Sequence, residues 1–274
     1  MLINLYYFQM SANLPANNRE YKDLAYWNER FAVEENYEWL ADYSDIRTLL
    51  LPILQKVGSK AKILQLGCGN STLANALYID GFEDVTSIDI SDVCVEKNKK
   101  NFPHLKFIKM DMTTLEFADS TFDVVLEKAT LDALLVDRIS PWQQDSPGCQ
   151  QVGLALQQVR RVLKPAGTFL SITFSQPHFL LPLLAAPGLG WSLAVQRFST
   201  TGGVLDYFLV CCEAGDPGPG LQQWAVTSRP SIENNTEQCC SSEEESFILR
   251  LDTACLAGNS DSDSELDNSA ASEP

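Results

Sequence analysis

The sequence predicts an α/β fold: a seven-stranded, mostly parallel sheet with helices on both faces and an antiparallel terminal strand. Two observations predict it. From residue 62 onward, short apolar runs alternate with segments of helical periodicity, as in consecutive strand–helix units. After residue 190, two apolar runs are separated only by the short polar segment 199–203, which indicates a closing hairpin.

The first strand–helix–strand unit spans residues 62–89 and contains a glycine turn. An apolar strand ends at Gly67 and Gly69, and residues 70–72 (Asn-Ser-Thr) offer N-cap side chains for the next helix. Asp89 closes the second strand, where a ribose hydroxyl would need an acceptor. The unit predicts a nucleoside-containing cofactor over the strand ends; a tight turn without a ligand is the alternative.

The other elements follow in the same alternation. The run at 121–126 is almost continuously apolar, which is typical of a strand buried on both faces. Residues 164–167 predict a sharp turn, and residues 179–190 show no clear pattern. Periodicity predicts helices at 20–31, 43–56, 95–101, 129–137 and 150–163, and strands at 105–109, 121–126, 168–173, 191–198 and 204–212.

Charge is unevenly distributed along the 274 residues. The formal net charge is −16, and residues 215–274 carry twelve acidic and two basic side chains, or −10 of that total. Nucleic-acid binding requires clustered Lys and Arg, so this balance argues against a nucleic-acid partner. The low-complexity acidic end is predicted to be mostly disordered, either as a contact for a basic protein or as a solubilising tail.

The eight cysteines form no CxxC pair, and the chain has only two histidines. That spacing predicts neither a zinc site nor a secreted disulfide framework, and it favours reduced thiols in a cytoplasmic protein. The opening residues 1–10 are apolar but too short to span a bilayer, so no membrane association is expected.

Aromatic residues are concentrated just before the first strand. Trp27 and Phe31 lie at helical spacing, and Trp39 follows in a predicted loop. Aromatic residues at helical spacing usually belong to a core. Here, however, they fall in a partly polar segment where a cap over the cofactor would lie, so Trp27 and Trp39 are candidate cofactor contacts.

Polar or glycine residues follow four of the predicted strands. Because the carboxyl ends of parallel strands line one crevice, these residues are expected to meet there. A dinucleotide-binding turn would place a third glycine where Thr72 stands, and no Walker A lysine follows the first strand. The strand-end residues are Gly67 and Gly69, Asp89, Asp111, and Glu127 with Lys128.

Five segments in this order resemble class I S-adenosylmethionine-dependent methyltransferases, which have a Rossmann-like sheet: LQLGCGN, SIDIS, KMDMTTLEF, FDVVLEKATLDALL and RVLKPAGTFLSIT. More narrowly, YWNERF, EWLADYSDIRTLL, GCGNSTL and LEKATLDALL resemble the eukaryotic elongation factor 1-alpha lysine methyltransferase 4 family. The resemblance covers about residues 19–212. It implies methyl transfer from S-adenosyl-L-methionine to a lysine of elongation factor 1-alpha.

The resemblance also implies roles for individual residues. Gly67 and Gly69 would admit the methionine part of the cofactor, and Asp89 would bind the ribose hydroxyls. The remaining implied cofactor contacts are Ile90, Asp111 and Met112 around the adenine, Lys128 after the fourth strand, and Trp27, Phe31 and Trp39 in the N-terminal cap. The sequence departs from the family at Ala129, where the EKGTLD motif has glycine, and at Gln65, where many methyltransferases have an acidic residue.

Two carboxylates are candidates for the chemistry of the methyl acceptor. Glu127 and Asp132 could orient a lysine amine or accept its proton. The alternatives are a surface or cofactor-side hydrogen bond for Glu127 and a helix-surface charge for Asp132. No metal is expected.

Three functions remain open from the sequence: a protein-lysine methyltransferase, a small-molecule methyltransferase, and a cofactor-binding interaction module with an acidic tail. The first is favoured by the family resemblance. The expected organisation is a disordered extension at 1–18, a methyltransferase domain at 19–214 and the acidic tail at 215–274, in a monomeric protein.

Overall fold

A computed structural model describes residues 14–140, 143–201, 205–215, 224–227 and 248–249, the last two segments by their backbone only. After a 3-10 helix at Asn18–Lys22, the helices are α1 Leu24–Val33, α2 Tyr43–Val57, α3 Leu73–Ile79, α4 Asp92–Asn101, α5 Thr130–Leu134, α6 Pro147–Val162 and α7 Pro177–Leu184. The strands are β1 Ile63–Leu66, β2 Val85–Asp89, β3 Lys106–Lys109, β4 Phe122–Lys128, β5 Leu163–Thr173, β6 Trp191–Ser199, β7 Asp206–Ala214, β8 Trp224–Thr227 and β9 Ile248–Leu249.

These strands form one sheet in the order β3-β2-β1-β4-β5-β7-β6-β8-β9. Strands β1 to β5 are mutually parallel, and β7 runs antiparallel between β5 and β6. The predicted mostly parallel sheet with an antiparallel terminal strand is therefore confirmed over β1 to β7. The strand order reverses between β1 and β4, and in open α/β sheets ligands bind at such a reversal.

Alternate side chains of the central strands enter two separate cores. Leu64 of β1 and Val125 of β4 pack with α6 on one face, whereas Ile63 and Val124 pack with α2, α3 and α4 on the other. Both faces are thus covered by helices. This explains why the β1 and β4 sequences are almost continuously apolar instead of alternating.

Several element boundaries differ from the sequence-based expectation. Helix α6 begins at Pro147 instead of 150, because the Ser146 hydroxyl accepts the backbone N–H of Cys149 and proline is favourable in a first helical turn. Helix α5 ends at Leu134, before the expected residue 137. The chain turns there so that the Asp137 carboxylate can accept hydrogen bonds from Lys22 and the Gly148 N–H.

The expected turn at 164–167 appears as a bulge within strand β5: Leu163 pairs with Phe122 and Thr168 with Val124, so four residues of β5 lie opposite the single residue Asp123. Strand β5 already begins at Leu163, which pairs with Phe122 across a register irregularity. The Lys164 ammonium pairs with Asp123 at 2.8 Å and fixes this segment against β4. The segment after residue 176, for which the sequence showed no pattern, forms α7; its buried Leu180, Leu181 and Leu184 explain the apolar composition.

Much of the predicted N-terminal extension (1–18) and acidic tail (215–274) lies outside the described residues. Within the described part, Asn17 already caps the 3-10 helix through a reciprocal bond with Glu20. Among the same residues, no helix combines the length and apolar character needed to cross a membrane.

Candidate functional site

A cavity of about 460 Å³ lies over the carboxyl ends of the central parallel strands. Its floor, as we name it, consists of the ends of β1, β2 and β4 with the turns that follow them. Its roof is the segment from residue 18 to residue 40. The volume lies within the range of small-molecule and cofactor sites, roughly 300–1,000 Å³.

All ten residues predicted to contact a cofactor line this one cavity, and so does Asp132. They come from six separate stretches of the chain: four adjoin the carboxyl ends of strands, which the strand order brings to one edge of the sheet, and two belong to the N-terminal roof. The ten residues are Trp27, Phe31, Trp39, Gly67, Gly69, Asp89, Ile90, Asp111, Met112 and Lys128.

The glycine turn after β1 requires glycine for two different reasons. Gly67 and Gly69 both have left-handed backbone conformations, with φ of 57° and 50°. A Cβ on Gly67 would also lie 2.3 Å from the Thr130 hydroxyl oxygen, whereas a Cβ on Gly69 would make ordinary contacts of 3.6 Å with Phe31. The floor is therefore packed tightly around Gly67, whereas Gly69 faces the Phe31 ring of the roof at ordinary contact distance.

Asp89 holds the turn in place from the neighbouring strand. One carboxylate oxygen accepts the Gly69 N–H at 2.9 Å and the other accepts the Ser91 N–H at 2.9 Å. Burial raises the pKa of Asp89, against the opposing effect of these two donors. The residue is 7% exposed, and that exposed fraction faces the cavity.

The carbonyl of Gly69 is held from below by α4. The Asn98 amide donates to it at 2.7 Å and the Cys94 thiol at 2.9 Å. Cys68, Cys94 and Asp89 bring their ligand-type atoms within 4.8 Å of one another, a proximity that the linear cysteine spacing did not indicate. The Cys94 thiol, the Asn98 amide and Oδ2 of Asp89 thus hold the backbone of Gly69, and Oδ1 of Asp89 holds the chain after β2.

The floor continues beyond β3 at residues 110–113. The Asp111 carboxylate accepts the Thr113 N–H at 2.8 Å and its hydroxyl at 2.7 Å, which fixes the turn in which Met112 is buried. Ile90, next to Asp89, remains 45% exposed and offers an apolar surface at the cavity edge.

The roof is an aromatic layer organised around a buried arginine. Trp27 stacks on Phe31 with ring centroids 5.4 Å apart and meets Trp39 edge to face at 6.0 Å. The Arg30 guanidinium lies 4.7 Å from the Trp39 ring centroid and forms a bidentate pair with Glu34. Sequence reasoning identified the rings but not Arg30, because an arginine in a helix of mixed polarity gives no signal of burial.

Glu38 is a second functional residue that sequence reasoning missed. Its carboxylate accepts the Thr72 N–H at 2.6 Å and the Ser71 hydroxyl at 2.6 Å, and it pairs with the Lys128 ammonium at 3.0 Å. Of the residues 70–72 expected to cap α3, Ser71 accepts the Leu73 N–H through its hydroxyl at 3.2 Å. The Thr72 side chain makes no such bond, and the Thr72 N–H is bound by Glu38 of the roof.

The two candidate acid/base residues occupy different positions. Glu127 is fully buried and is not among the described residues that line the cavity. Its carboxyl group accepts the N–H groups of Thr130 and Leu131 and hydrogen-bonds the Ser171 hydroxyl, so it anchors the start of α5. Burial, together with the negative charge of Asp132, raises the pKa of Glu127 to about 8.

Asp132 lines the cavity and is fixed on one side. Its Oδ1 accepts the hydroxyls of Thr173 and Ser175, each at 2.7 Å. Its Oδ2 makes only a long contact of 3.4 Å with the Phe174 N–H. Burial raises the pKa of Asp132 against the opposing effect of these donors. One oxygen of a firmly oriented carboxylate is thus left for a ligand.

The backbone conformation of Ala129 explains why the family has glycine at this position. It is the N-cap of α5 and has a left-handed backbone with φ of 64°. Its N–H donates to the Ile172 carbonyl at 2.9 Å, so the conformation is imposed by the sheet. Glycine adopts this conformation without the penalty that a Cβ carries.

A family model described as a methyltransferase domain matches residues 58–187. EEF1A lysine methyltransferase 4 of Bos taurus is 40% identical over 208 residues, covering 74% of this chain and 79% of that protein. The Mus musculus protein of that name is 39% identical over 193 residues, covering 68% of this chain and 74% of that protein.

Two further matches are more limited: one covers a small part of a longer relative, and the other is a solved structure that shows the fold alone. The eEF1A lysine and N-terminal methyltransferase of Mus musculus is 40% identical over 61% of this chain, but the match spans 24% of that longer protein. The N-methyltransferase NodS from Bradyrhizobium japonicum WM9, solved with S-adenosyl-l-homocysteine, gives a TM-score of 0.52 at 15% identity over 72% of this chain and 98% of its own.

The methyltransferase domain match at residues 58–187 includes the floor of the cavity and strands β1 to β5. Family membership therefore agrees with the cavity that the strand ends form. The chain belongs to the EEF1A lysine methyltransferase 4 family of S-adenosylmethionine-dependent methyltransferases.

Proposed function

We propose that this chain transfers a methyl group from S-adenosyl-L-methionine to a lysine side chain of translation elongation factor 1-alpha. The observation that carries the proposal is a single cavity that joins all ten expected cofactor contacts to the half-satisfied carboxylate of Asp132. The names of the relatives support the acceptor, and the methyltransferase domain match supports the reaction.

The floor and roof suit a nucleoside cofactor with an amino-acid tail. Gly69 brings the backbone of the turn to the cavity opposite the Phe31 ring, and Asp89 lies beside it with its carboxylate oxygens. We assign Asp89 to the ribose hydroxyls, and Ile90, Asp111 and Met112 to the adenine. Gly67, Gly69, Lys128 and the roof residues Trp27, Phe31 and Trp39 enclose the remainder.

Lys128 contributes to this site indirectly. Its ammonium is already bound by Glu38 and by the Trp39 carbonyl at 2.7 Å, so it orients the roof instead of presenting a free charge. Burial lowers its pKa, against the opposing effect of Glu38. Its aliphatic stem is the part that a cofactor would contact.

The chain must deliver a neutral amine to the methyl group. When bound, S-adenosylmethionine supplies that methyl on an activated sulfonium. A free lysine with a pKa of about 10.4 loses its proton at neutral pH at a cost of about 4–5 kcal/mol. Apolar lining from Trp39, Ala133 and Phe174 lowers this cost, because a desolvated ammonium is less favourable than a neutral amine.

We propose that Asp132 orients the incoming amine and accepts its proton through Oδ2. The hydroxyls of Thr173 and Ser175 hold Oδ1, so the orientation of the second oxygen is fixed before the lysine arrives. Glu127, the other candidate, has a structural role: it binds the first N–H groups of α5, the helix that contains Asp132.

The acceptor is a folded protein, which requires an accessible mouth to the cavity. Phe174 lines the cavity and is 53% exposed, so it lies at such an opening. We propose that the enzyme acts as a monomer in the cytoplasm, where elongation factor 1-alpha is available, without nucleic-acid or membrane partners.

The test uses purified full-length protein, labelled S-adenosylmethionine and purified elongation factor 1-alpha, with the modified residue located by mass spectrometry. We expect label on a lysine. Asp89→Asn should weaken S-adenosylhomocysteine binding at least about tenfold, since one acceptor oxygen is lost and the amide NH₂ group faces the N–H of either Gly69 or Ser91. Asp132→Asn should leave that affinity within about threefold while kcat falls about a hundredfold. Asp206→Asn, on the exposed end of β7, is the matched control.

Each alternative gives a different result. Label that appears only in small metabolites from a cell lysate would establish a small-molecule methyltransferase. Cofactor binding without transfer to any acceptor would indicate a binding module. Wild-type affinity in Asp89→Asn would overturn the cofactor assignment.

A further inference from the structure

Glu38 connects the roof of the cavity to its floor through one carboxylate. Oε1 accepts the N–H of Thr72 at 2.6 Å and its hydroxyl at 2.8 Å. Oε2 accepts the Ser71 hydroxyl at 2.6 Å and pairs with the Lys128 ammonium at 3.0 Å. Four donors from two separate floor elements, the start of α3 and the end of β4, therefore converge on one roof side chain.

The neighbouring residue completes the connection. The carbonyl of Trp39 accepts a second hydrogen bond from Lys128, at 2.7 Å. The position of the Trp39 ring, which lines the cavity, thus depends on the ion pair of the residue before it. The pair is largely shielded from water, with the two side chains 20% and 5% exposed, so it is poorly screened by salt.

The surroundings of Glu38 favour the ionised form of its carboxyl group. Burial alone raises the pKa of the Glu38 carboxyl, but Lys128, Ser71 and the Thr72 N–H together hold it below its ordinary value. The carboxylate is therefore ionised at neutral pH and acts purely as an acceptor.

We propose that Glu38 is a positioning residue for the cofactor site: it sets the distance between the glycine turn and Trp39 and so makes the roof and floor one preformed enclosure. This inference rests on the proposed function and deepens it by naming a residue that governs cofactor affinity without lining the cavity. It predicts a defect in cofactor binding that exceeds any defect in folding.

Glu38→Gln provides a strict test, because the amide has nearly the same shape. Whichever way the amide is turned, its NH₂ group faces either the Thr72 N–H or the Lys128 ammonium, and neither can become an acceptor. We expect the Kd for S-adenosylhomocysteine and the KM for S-adenosylmethionine to rise at least tenfold, with the KM for the protein acceptor unchanged.

A second substitution should relieve this conflict. In Glu38→Gln/Lys128→Met the NH₂ group can face the Ser71 hydroxyl, which rotates to accept. The Kd of the double variant for S-adenosylhomocysteine should therefore not exceed that of whichever single variant, Glu38→Gln or Lys128→Met, binds it more weakly. Glu35→Gln is the control, since Glu35 lies three residues earlier, is exposed and pairs with Lys97 on the outside; its Kd should equal that of the wild type.

The measurements are isothermal titration with S-adenosylhomocysteine and steady-state kinetics on protein whose folding is verified by circular dichroism. If Glu38→Gln fails to fold, Glu38→Asp takes its place, with a Kd raised at least threefold because the shorter side chain cannot reach both sets of donors. Wild-type affinity in the folded variant, or additive losses in the double variant, would overturn the proposal. Binding of S-adenosylhomocysteine needs no acceptor, so the result is independent of whether elongation factor 1-alpha is the substrate.

Discussion

The floor and the roof of the cavity are built by different kinds of interaction. The floor is fixed by backbone geometry: sheet pairing, left-handed glycines and main-chain N–H groups bound by Asp89 and Glu127. The roof is held by side chains that reach across from other elements, chiefly Lys22 to Asp137 and Lys128 to Glu38. Substitutions should therefore disturb folding when they fall in the floor and cofactor exchange when they fall in the roof.

The largest effect is expected from Gly67→Ala in the floor. The new Cβ would lie 2.3 Å from the Thr130 hydroxyl oxygen on a backbone with φ of 57°. Strain and overpacking together should cost about 3 kcal/mol of unfolding free energy and abolish S-adenosylhomocysteine binding. Urea unfolding and calorimetry measure the two effects.

The control for this prediction is Gly153→Ala on α6, where the added methyl meets open space. That variant should gain about 0.5–1 kcal/mol from its helix propensity. A fully stable, cofactor-binding Gly67→Ala variant would show that the floor is less rigid than its packing indicates.

A second test uses the pH dependence of the unfolding free energy, to which the floor and the roof should contribute with opposite signs. Glu127 in the floor has its pKa raised to about 8 from 4.5, so the native state keeps a proton that the unfolded chain releases. Its contribution is complete below about pH 4.5 and is lost as pH rises towards 8, with a slope approaching about 1.4 kcal/mol per pH unit. Glu38 in the roof has a lowered pKa, so its contribution is present above its ordinary pKa and is lost in acid.

Glu127→Gln should remove the loss of stability that Glu127 causes as pH rises towards 8. The amide imitates the protonated acid: its oxygen accepts the N–H groups of Thr130 and Leu131, and its NH₂ group donates to Ser171. Unfolding free energies measured from pH 5 to pH 8 should fall more steeply in the wild type than in the variant. Parallel curves would mean that Glu127 is ionised in the native protein.

A smaller effect is expected from Lys22→Met in the roof. The Lys22–Asp137 pair, at 2.6 Å with side chains 22% and 17% exposed, joins the 3-10 helix to the turn after α5. Its loss should cost about 1 kcal/mol of stability. Stopped-flow dissociation of S-adenosylhomocysteine should accelerate several-fold because the roof opens more readily.

The matched control is Lys56→Met, since Lys56 forms a pair with Glu213 whose side chains are 75% and 51% exposed, away from the cavity. Its dissociation rate should equal that of the wild type. Equal rates in Lys22→Met as well would mean that the cofactor leaves by a path that does not require the roof to move.

The smallest expected effect is a gain from Ala129→Gly. Relief of the left-handed strain at φ of 64° should exceed the entropy that glycine adds to the unfolded chain, for a net gain of about 0.5 kcal/mol. Thermal unfolding measures it. A loss of stability would show that the Ala129 methyl makes packing contacts worth more than the strain.

The sequence located the floor well because its signals are local. Gly67, Gly69, Asp89 and Asp111 each follow an apolar strand, and the carboxyl ends of parallel strands meet at one edge. Trp27, Phe31 and Trp39 line the same cavity, and their concentration in a partly polar segment is the local signal that indicates a covered surface. Glu38 gave no such signal, because its partners lie 33 to 90 residues away in the chain.

The carboxylates of Glu127, in β4, and Asp132, in α5, show the same limit of sequence-based prediction. Glu127 and Asp132 are five residues apart in sequence, and nothing local distinguishes their chemistry. Glu127 is buried in the core at the end of β4, whereas Asp132 lines the cavity from α5, which starts between the two residues.

The sequence by itself determined the alternation of strands and helices, the glycine turn and the acidic strand ends, because these depend on periodicity and on backbone conformations that few residues tolerate. Tertiary structure alone decided that β7 inserts between β5 and β6, that Glu38 binds Thr72 and Lys128, and that Asp132 lines the cavity while Glu127 is buried in the core. Those outcomes depend on contacts between distant parts of the chain, whose energies appear only when the sheet has formed.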